Sequence, residues 1–470
     1  MRERGGRGLT AKSLPPVTCK PAASLKGVII LMDFDFDRAL LRFSELLKCK
    51  TISGNDAEFE RFRVKLKELY PHIAQICEFE LIGGTGLFFL WRGKNAAKSI
   101  VLMSHYDVVP AEAEQWEKPP FSGEILNGEI WGRGAVDTKC SLCAVMESVE
   151  TLISHDFTPE CDVYMCFGGD EETSGDSAKA IVAELELRGV KPFLVLDEGG
   201  AVIKTKIAGI KVPCALVGIA EKGYMNVEFI ARGKGGHTSL PSKSNPIVTI
   251  SEAVLKLKKA FKPVISEPSR IMINSVSKHI GFKFRQVLKS SFILKMFLGK
   301  FAENVPEIGA LTQTIGAITL IDGGNALNVI PEQVRAVGNF RVISGSSVNE
   351  TLEIIKKALQ GLEIEVNLIN GSEPSKISRV SGEGWSVLNT AISETWGECA
   401  VVPYLMVAGS DSRFYSSISD NIYRFSPMIM TEAERSSIHG VNEKISEENF
   451  KSMIQFYISL LNPYNIFKNP

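Results

Sequence analysis

An imidazole and a carboxylate two positions apart are the first groups in this sequence that could do chemistry. His105 and Asp107 lie in SHYDVVP (residues 104–110), directly after the apolar run IVLM (residues 100–103). Alternate side chains of an extended segment point the same way, so both can converge at the end of a buried strand. A carboxylate behind a histidine fixes its tautomer and raises its basicity, as a metal ligand requires. Taken alone, the pair is equally compatible with a polar surface loop.

More acidic residues follow apolar runs in the same way. Glu171 and Glu172 come after the run at residues 163–167, and Asp197 ends the run at residues 193–196. Parallel strands align their carboxyl ends, so we expect these groups and His105 to meet at one edge of one sheet. Carboxylates gathered there repel one another unless a cation neutralises them.

Two further residues complete a metal-binding set. Asp137 lies in WGRGAVDTK (residues 131–139), and His439 lies in SIHGVNE (residues 437–443). Two imidazoles together with carboxylates suit zinc, cobalt or manganese better than magnesium or calcium.

Composition restricts the class of protein. At 470 residues, the chain is long enough for two or three domains. A net charge of −1 gives no reason to expect a nucleic acid or an anionic membrane as a partner. No apolar run approaches the ~20 residues that span a bilayer. The nine cysteines are spread out and odd in number, which favours reduced thiols in a cytoplasmic protein.

The elements predict an α/β fold with a mostly parallel sheet and an inserted α+β domain. We expect a disordered leader at residues 1–32, although a true start at Met32 would explain that segment equally well. Strands alternate with helices over residues 33–212, and this alternation returns over residues 379–470. If His439 joins the cluster, these two segments share one catalytic domain. The intervening residues 213–378 would then form a lid or dimerisation domain, in which segments 215–220 and 224–231 are predicted to pair; the stretch 266–306 is interpreted as an insertion.

From about residue 33 to the C-terminus, the sequence resembles the M20 zinc metallopeptidases. The motifs that carry the resemblance are SHYDVVP, GRGAVDTK (residues 132–139), GDEE (residues 169–172), GGHTS (residues 235–239), NALNVIP (residues 325–331) and HGVNE (residues 439–443). The pieces HYDVVP, PPFSG (residues 119–123) and NFR (residues 339–341) are most similar to the branch of carboxypeptidase S and the N-acyl amino acid hydrolases. One departure is ISG (residues 343–345), where a Pro-Gly turn is usual.

The resemblance implies two zinc ions, with cobalt or manganese as alternatives. His105 and Asp197 should bind one ion, and Glu172 and His439 the other. Asp137 should bridge both.

The resemblance and the residue chemistry also suggest roles around the metals. Asp107 should lie behind His105, and Glu171 should act as the general base. His237, in a Gly-rich turn, is a candidate donor to the oxyanion formed on the scissile carbonyl. The candidate substrate-binding residues are Asn328 and Arg341 for a carboxylate and Gly409 for the floor of the pocket; ordinary sheet and surface positions are the alternative for the first two.

The predicted function is hydrolysis of an amide bond next to a free carboxylate, by attack of a metal-bound hydroxide. The substrate would be a short peptide or an N-acyl amino acid. An N-deacylase of the acetylornithine deacetylase or succinyl-diaminopimelate desuccinylase type is the alternative, because its chemistry is identical. A non-catalytic binding protein of the same fold should lack a ligand or the base, and neither is missing here. The chain is expected to be a monomer or a homodimer.

Overall fold

The computed structural model describes residues 34–462 apart from 205–209, 242–243, 283–284, 287–297 and 301. The leader predicted for residues 1–32 lies outside the described residues, as does part of the stretch 266–306.

The described strands and helices are given in chain order. The strands are β1 (Glu78–Ile82), β2 (Gly86–Trp91), β3 (Asn95–His105), β4 (Ile125–Leu126), β5 (Glu129–Trp131), β6 (Cys161–Gly168), β7 (Leu194–Ile203), β8 (Cys214–Glu221), β9 (Gly223–Arg232), β10 (Gly236–His237), β11 (Ile315–Asp322), β12 (Val329–Ile330), β13 (Gln333–Val342), β14 (Ile364–Ser372), β15 (Ala400–Met406), β16 (Ile422–Ile429) and β17 (Lys444–Ser446). The helices are α1 (Phe36–Leu47), α2 (Asp56–Leu69), α3 (Pro71–Ile76), α4 (Lys139–Ser154), α5 (Asp176–Leu187), α6 (Pro246–Leu257), α7 (Glu267–Lys278), α8 (Pro306–Thr312), α9 (Val348–Ala358), α10 (Glu383–Trp396), α11 (Glu432–Ser437) and α12 (Glu447–Leu460).

A mixed, eight-stranded sheet forms the centre of the fold, in the order β1-β2-β6-β3-β7-β16-β8-β15. Its middle strands β6, β3, β7 and β16 run parallel to one another. The inner parts of these strands, such as residues 100–103 of β3 and 194–196 of β7, are apolar and buried because a parallel sheet is covered on both faces. Every residue of β6 is buried, for example. The predicted α/β class with a mostly parallel sheet is therefore confirmed.

Helices pack against the large sheet and against one another. Helix α5 contributes Ile181, Val182 and Leu185 to a core with residues of β2, β3 and β6. Helix α4 packs against α1, α3, α12 and β3. Cys140 and Cys143 are fully buried in α4 and serve there as small core residues.

A second, antiparallel sheet has the order β11-β13-β9-β14. Residues of β9 alternate between buried and half-buried positions, as expected for a sheet covered on one face only. Met225, Val227 and Phe229 point into a core that includes Ile250 of α6 and Ile355 of α9.

The sequence prediction was wrong about β8. This strand was expected to pair with the next strand, β9, but it lies in the large sheet beside β15 and β16. Sequential strands are often neighbours, yet here the chain passes from one sheet to the other at Lys222. Strands β15 and β16, from the C-terminal segment, lie in the same sheet as β3, β6 and β7. The domain limits at residues 213 and 378 stay predictions.

Within the described part of the chain, the helices are too short or too polar to cross a bilayer.

Candidate metal centre

Imidazoles and carboxylates from five separate segments converge at the carboxyl ends of the central parallel strands. His105 is the last residue of β3, Glu172 lies in the loop after β6, and Glu198 lies in β7. Asp137 precedes α4, and His439 follows α11. Because β6, β3 and β7 are adjacent and parallel, their carboxyl ends lie at one edge of the sheet, where α/β proteins place their sites.

The first group of possible metal ligands comprises His105, Asp137 and Glu198. One nitrogen or oxygen atom from each residue lies within 4.8 Å of the others. His105 Nε2 is 3.1 Å from Asp137 Oδ1 and 3.5 Å from Glu198 Oε1.

The second group comprises Asp137, Glu172 and His439, with the same spacing between ligand atoms. His439 Nε2 is 3.1 Å from both Asp137 Oδ2 and Glu172 Oε1. Asp137 therefore belongs to both groups, with one carboxylate oxygen towards each histidine. This is the arrangement of a carboxylate that bridges two cations.

Asp107 lies behind the His105 ring. Its Oδ1 is 3.3 Å from His105 Nδ1, and its backbone oxygen is 3.0 Å from the same nitrogen. These acceptors favour a proton on Nδ1, which leaves Nε2 free to face the first group. Asp107 also accepts hydrogen bonds from the backbone N–H groups of Glu171 and Glu172. It therefore joins the end of β3 to the loop that follows β6.

Asp197, the acid that the sequence predicts as a ligand, lies outside both donor groups in the described residues. Its carboxylate is buried and accepts hydrogen bonds from the backbone N–H groups of Glu198 (2.9 Å) and Ser412 (3.0 Å). It is absent from both donor groups in the described chain, and the adjacent Glu198 takes the expected place. The physical reason is the alternation along β7, which turns consecutive side chains to opposite faces.

The charges of the cluster depend strongly on one another. Burial by itself would lower the pKa of His105, but the carboxylates of Glu198, Asp107 and Asp137 raise it well above its usual value. Burial by itself would raise the pKa of Asp137, but hydrogen bonds from the two histidines hold it well below its usual range. Hydrogen bonds to Asp137 and Glu172 raise the pKa of His439 to about 10.

Glu198 and Glu171 are driven towards the neutral form. Burial is the main cause for both, and neighbouring carboxylates add to it, so the pKa of Glu198 lies well above its usual value and that of Glu171 is about 7. An opposite charge among these acids would restore the ionised form. The nitrogen and oxygen donors of both groups thus fit a pair of divalent cations in chemistry and in charge.

Glu171 is near the cluster without belonging to either donor group. Its charge interacts with those of His105, Glu172 and Asp137. Its neighbour Glu172 faces His439. Glu171 is therefore an acid beside the candidate metal ligands, as the predicted base must be.

The predicted oxyanion donor makes only local contacts in the described chain. His237 is exposed in a short ribbon in which β10 pairs with β12. Its Nδ1 is 2.8 Å from Ser239 Oγ. Asn328 is exposed next to this ribbon, and its backbone oxygen accepts from Thr238 N–H at 3.2 Å. These contacts do not connect His237 or Asn328 to the donor groups, so their roles stay predictions.

Arg341 and Gly409 occupy two other places around the two sheets. Arg341 is half-buried in β13. The pKa of Lys222 is lowered to about 7, mainly by the burial of Lys222 and additionally by the positive charge of Arg341. Two cationic groups therefore lie near the point where the chain leaves the large sheet. Gly409 precedes the loop whose Ser412 N–H holds Asp197, so this loop is linked to β7 beside the first donor group.

Glu198 was missed because it is adjacent to the acid that ends the apolar run. Because consecutive side chains of a strand point to opposite faces, only one of these two adjacent acids can face His105. The apolar run at residues 193–196 does not indicate which of the two it is. The sequence predicts no role for Glu443, the last residue of the HGVNE motif.

Comparisons with known proteins agree with this fold. The sequence pattern described as "Peptidase family M20/M25/M40" matches residues 101–462. The chain is 30% identical over 434 residues to "Probable carboxypeptidase S-like 2" of Dictyostelium discoideum, covering 89% of this chain and 84% of the relative. It is 32% identical over 414 residues to an N-fatty-acyl-amino acid synthase/hydrolase of Xenopus tropicalis, covering 87% and 81% respectively. A crystal structure of an M20 family metallo-carboxypeptidase from Sulfolobus solfataricus has a TM-score of 0.67 at 19% identity, covering 91% of this chain and 99% of that one. At that identity, the likeness supports the fold.

Proposed function

Because this chain belongs to peptidase family M20/M25/M40 and is therefore a metal-dependent hydrolytic enzyme, we propose that it hydrolyses the amide bond of a short peptide or an N-acyl amino acid with a free carboxylate. The observation that carries the proposal is the pair of donor groups that share Asp137. A non-catalytic protein that kept only the family's fold would not need three carboxylates close to two imidazoles.

Two zinc ions are the proposed cofactors, with cobalt or manganese as alternatives. His105 and Glu198 would hold one ion, Glu172 and His439 would hold the other, and Asp137 would bind both. When bound, such ions supply Lewis-acid activation of the scissile carbonyl and of a water molecule. The three carboxylates would leave one positive charge of two divalent cations unbalanced, so the loaded site would attract anions.

Glu171 is the proposed general base. It takes a proton from the attacking water as the water oxygen bonds to the carbonyl carbon. It then delivers that proton to the amine nitrogen as the carbon–nitrogen bond breaks. A carboxyl whose pKa is about 7 in the absence of cations suits both halves of this transfer near neutral pH. His237 is the proposed donor to the oxyanion, and this role requires its exposed ribbon to approach the substrate.

Arg341 is the proposed partner of the substrate carboxylate, through a bidentate ion pair. Support comes from Lys222, which is 4% exposed and donates to the backbone oxygen of Gln313 at 2.6 Å. Within the described residues this amine forms no ion pair with a carboxylate, and the Arg341 charge is close enough to affect its pKa. An anion would relieve the repulsion between the two cations. Asn328 and Gly409 stay candidates for further contacts to the substrate.

The relatives are named for both proposed substrate classes, since one is a carboxypeptidase-like protein and the other acts on N-fatty-acyl amino acids. Both reactions break an amide bond on the amino side of a residue with a free carboxylate. The same residues would therefore serve either substrate, and the shape of the pocket would decide between them.

A substrate panel tests the proposal. The chelated protein is reloaded with zinc, cobalt or manganese and assayed on dipeptides, N-acetyl, N-succinyl and N-fatty-acyl amino acids, and on the same compounds with the carboxylate converted to an amide. We expect hydrolysis only with metal, and at least ~10-fold lower kcat/KM for the amidated compounds, since a lost charged contact costs about 1.4 kcal/mol or more. Equal cleavage of both series would overturn the carboxylate requirement, and inactivity of fully loaded protein on every compound would overturn the proposed substrate class.

A further inference from the structure

A buried ion pair lies immediately beside the second donor group and belongs to neither group. Arg133 Nη1 is 2.7 Å from Glu443 Oε2, and the two residues are 3% and 0% exposed. Arg133 lies in the loop that leads to Asp137, and Glu443 lies four residues after His439. The pair thus joins two segments that are about 300 residues apart and that each carry a candidate ligand.

The loop that carries Asp137 is wrapped around the Glu443 carboxylate. Glu443 Oε1 accepts from the backbone N–H groups of Val136 (2.7 Å) and Asp137 (3.0 Å). The N–H group of Gly134 lies 3.1 Å from both carboxylate oxygens. Gly134 has a φ of 91°, a conformation that favours glycine. The backbone of Asp137 is therefore held by an anion that lies outside the donor groups.

The same pair holds the loop that carries His439. Arg133 Nη2 donates to the backbone oxygen of Gly440 at 2.8 Å. His439 and Asn442 both have a φ of 59°, a left-handed conformation that is uncommon for non-glycine residues, although His and Asn adopt it more often than most. The Asn442 side chain accepts from the backbone N–H of Glu117 at 2.8 Å, which fixes the far side of the loop.

We propose that Glu443 and Arg133 are positioning residues that clamp Asp137 and His439 into one cation site. This inference rests on the proposed two-ion site and adds residues that touch neither substrate nor ions. Asp137 and His439 are far apart in sequence, so their separation depends on contacts between loops. The clamp supplies these contacts through one carboxylate that neighbours both loops. His105 and Glu198, by contrast, are placed by adjacent strands β3 and β7, so the first donor group depends less on the clamp.

The test is Glu443→Gln, which keeps the size of the side chain. An amide has one acceptor oxygen and one donor NH2, so in either orientation its NH2 faces backbone N–H or guanidinium donors, which lose their acceptor. Partners behind a metal ligand typically change metal affinity by about 10–100-fold. We expect the second cobalt ion to bind about 10–100-fold more weakly and the first ion to change less, so that the ratio of the two affinities widens at least ~10-fold.

The measurement is a titration with Co²⁺ of protein that a chelator has freed of metal. Binding is monitored by calorimetry and by the visible absorption of bound cobalt. The matched control is Glu147→Gln, because Glu147 is also a buried acid (2% exposed) paired with an arginine, Arg42, at 3.1 Å. A purely structural effect would lower the unfolding temperature in both variants without separating the two cobalt affinities. We therefore expect the control to keep the wild-type ratio.

The outcomes separate this inference from the proposed function. If the wild type binds fewer than two ions, the two-ion site itself is wrong. If the wild type binds two ions and Glu443→Gln keeps their affinity ratio, or if Glu147→Gln widens the ratio equally, the clamp is refuted. Should Glu443→Gln fail to fold, Arg133→Lys gives the decision. Lysine keeps the charge but lacks the two terminal nitrogens with which Arg133 contacts both Glu443 and Gly440. An unchanged affinity for the second ion in that variant would also refute the clamp.

Discussion

Substituting Glu198 by glutamine removes a charged donor from the first group and keeps the shape of the side chain. Glu198 Oε1 lies 3.5 Å from His105 Nε2, so the change falls where a cation would be bound. A partner behind a ligand is worth up to ~100-fold in metal affinity, and a ligand itself should be worth at least as much. We expect one of the two ions to bind at least ~100-fold more weakly, which corresponds to about 2.7 kcal/mol. The metal-free variant should be no less stable, because burial and nearby carboxylates already disfavour the Glu198 charge.

Substituting the adjacent Asp197 by asparagine should mainly lower the unfolding free energy and should affect metal affinity little. Asp197 is 4% exposed, and its two oxygens accept from the N–H groups of Glu198 and Ser412. Asparagine offers only one oxygen, so one buried N–H group would face the amide NH2. An unsatisfied buried group costs about 1–3 kcal/mol. We expect a loss of unfolding free energy in this range and a much smaller change in metal affinity than for the Glu198 variant.

Calorimetric titration with zinc and urea unfolding of the metal-free proteins measure the two effects separately. The two residues are neighbours in β7, so each variant serves as the control for the other. If Asp197→Asn loses about 100-fold in ion affinity while Glu198→Gln binds both ions normally, the reasoning from strand alternation is refuted and the ligand is Asp197.

Three further predictions concern the chemistry and the electrostatics. Glu171→Gln should keep both ions yet lose about 10²–10⁴-fold in kcat; normal turnover in the loaded variant would show that the base lies elsewhere. Arg341→Lys should raise KM for substrates with a free carboxylate by roughly 10-fold, through loss of one bond of a bidentate pair, and should leave amidated substrates unchanged; an equal effect on both series would argue against a carboxylate contact. Because burial lowers the pKa of Lys222 to about 7 in the folded chain, the unfolded chain binds more protons between about pH 7 and pH 10.4. The unfolding free energy should therefore rise with pH in this window, and urea titrations of Lys222→Met should show a smaller rise.

Much of the large sheet was readable from local patterns. The spacing of apolar residues predicts a helix over residues 36–47 and a strand over residues 400–406, and these are the bounds found for α1 and β15. Continuous apolar runs such as β6 are typical of strands covered on both faces, because each side chain must be removed from water. The exception is β8, whose run is equally compatible with either sheet. Its partners lie about 180 and 200 residues later in the chain, in β15 and β16, and no local pattern could identify them.

The roles of the outer predicted residues depend on distances that sequence does not contain. His237 matches a family motif, yet in this structure it contacts Ser239 in an exposed ribbon. The approach of that ribbon to substrate would be a property of the arrangement of the two sheets. Motif matching could name the residue but not its distance from the donor groups.

By itself, the sequence determined the chemical inventory of this protein: two histidines and a set of acids, most of them after apolar runs, at the carboxyl edge of a parallel sheet. It could do so because strand periodicity and the placement of sites in α/β folds follow from local rules. Only the tertiary structure decided that Glu198, and not Asp197, faces His105, because the direction of each side chain depends on strand register and on Ser412, which lies more than 200 residues away. Only the tertiary structure also placed Glu443 between the loops of Asp137 and His439. A buried carboxylate must accept hydrogen bonds, and its donors come from a segment that only folding brings near it.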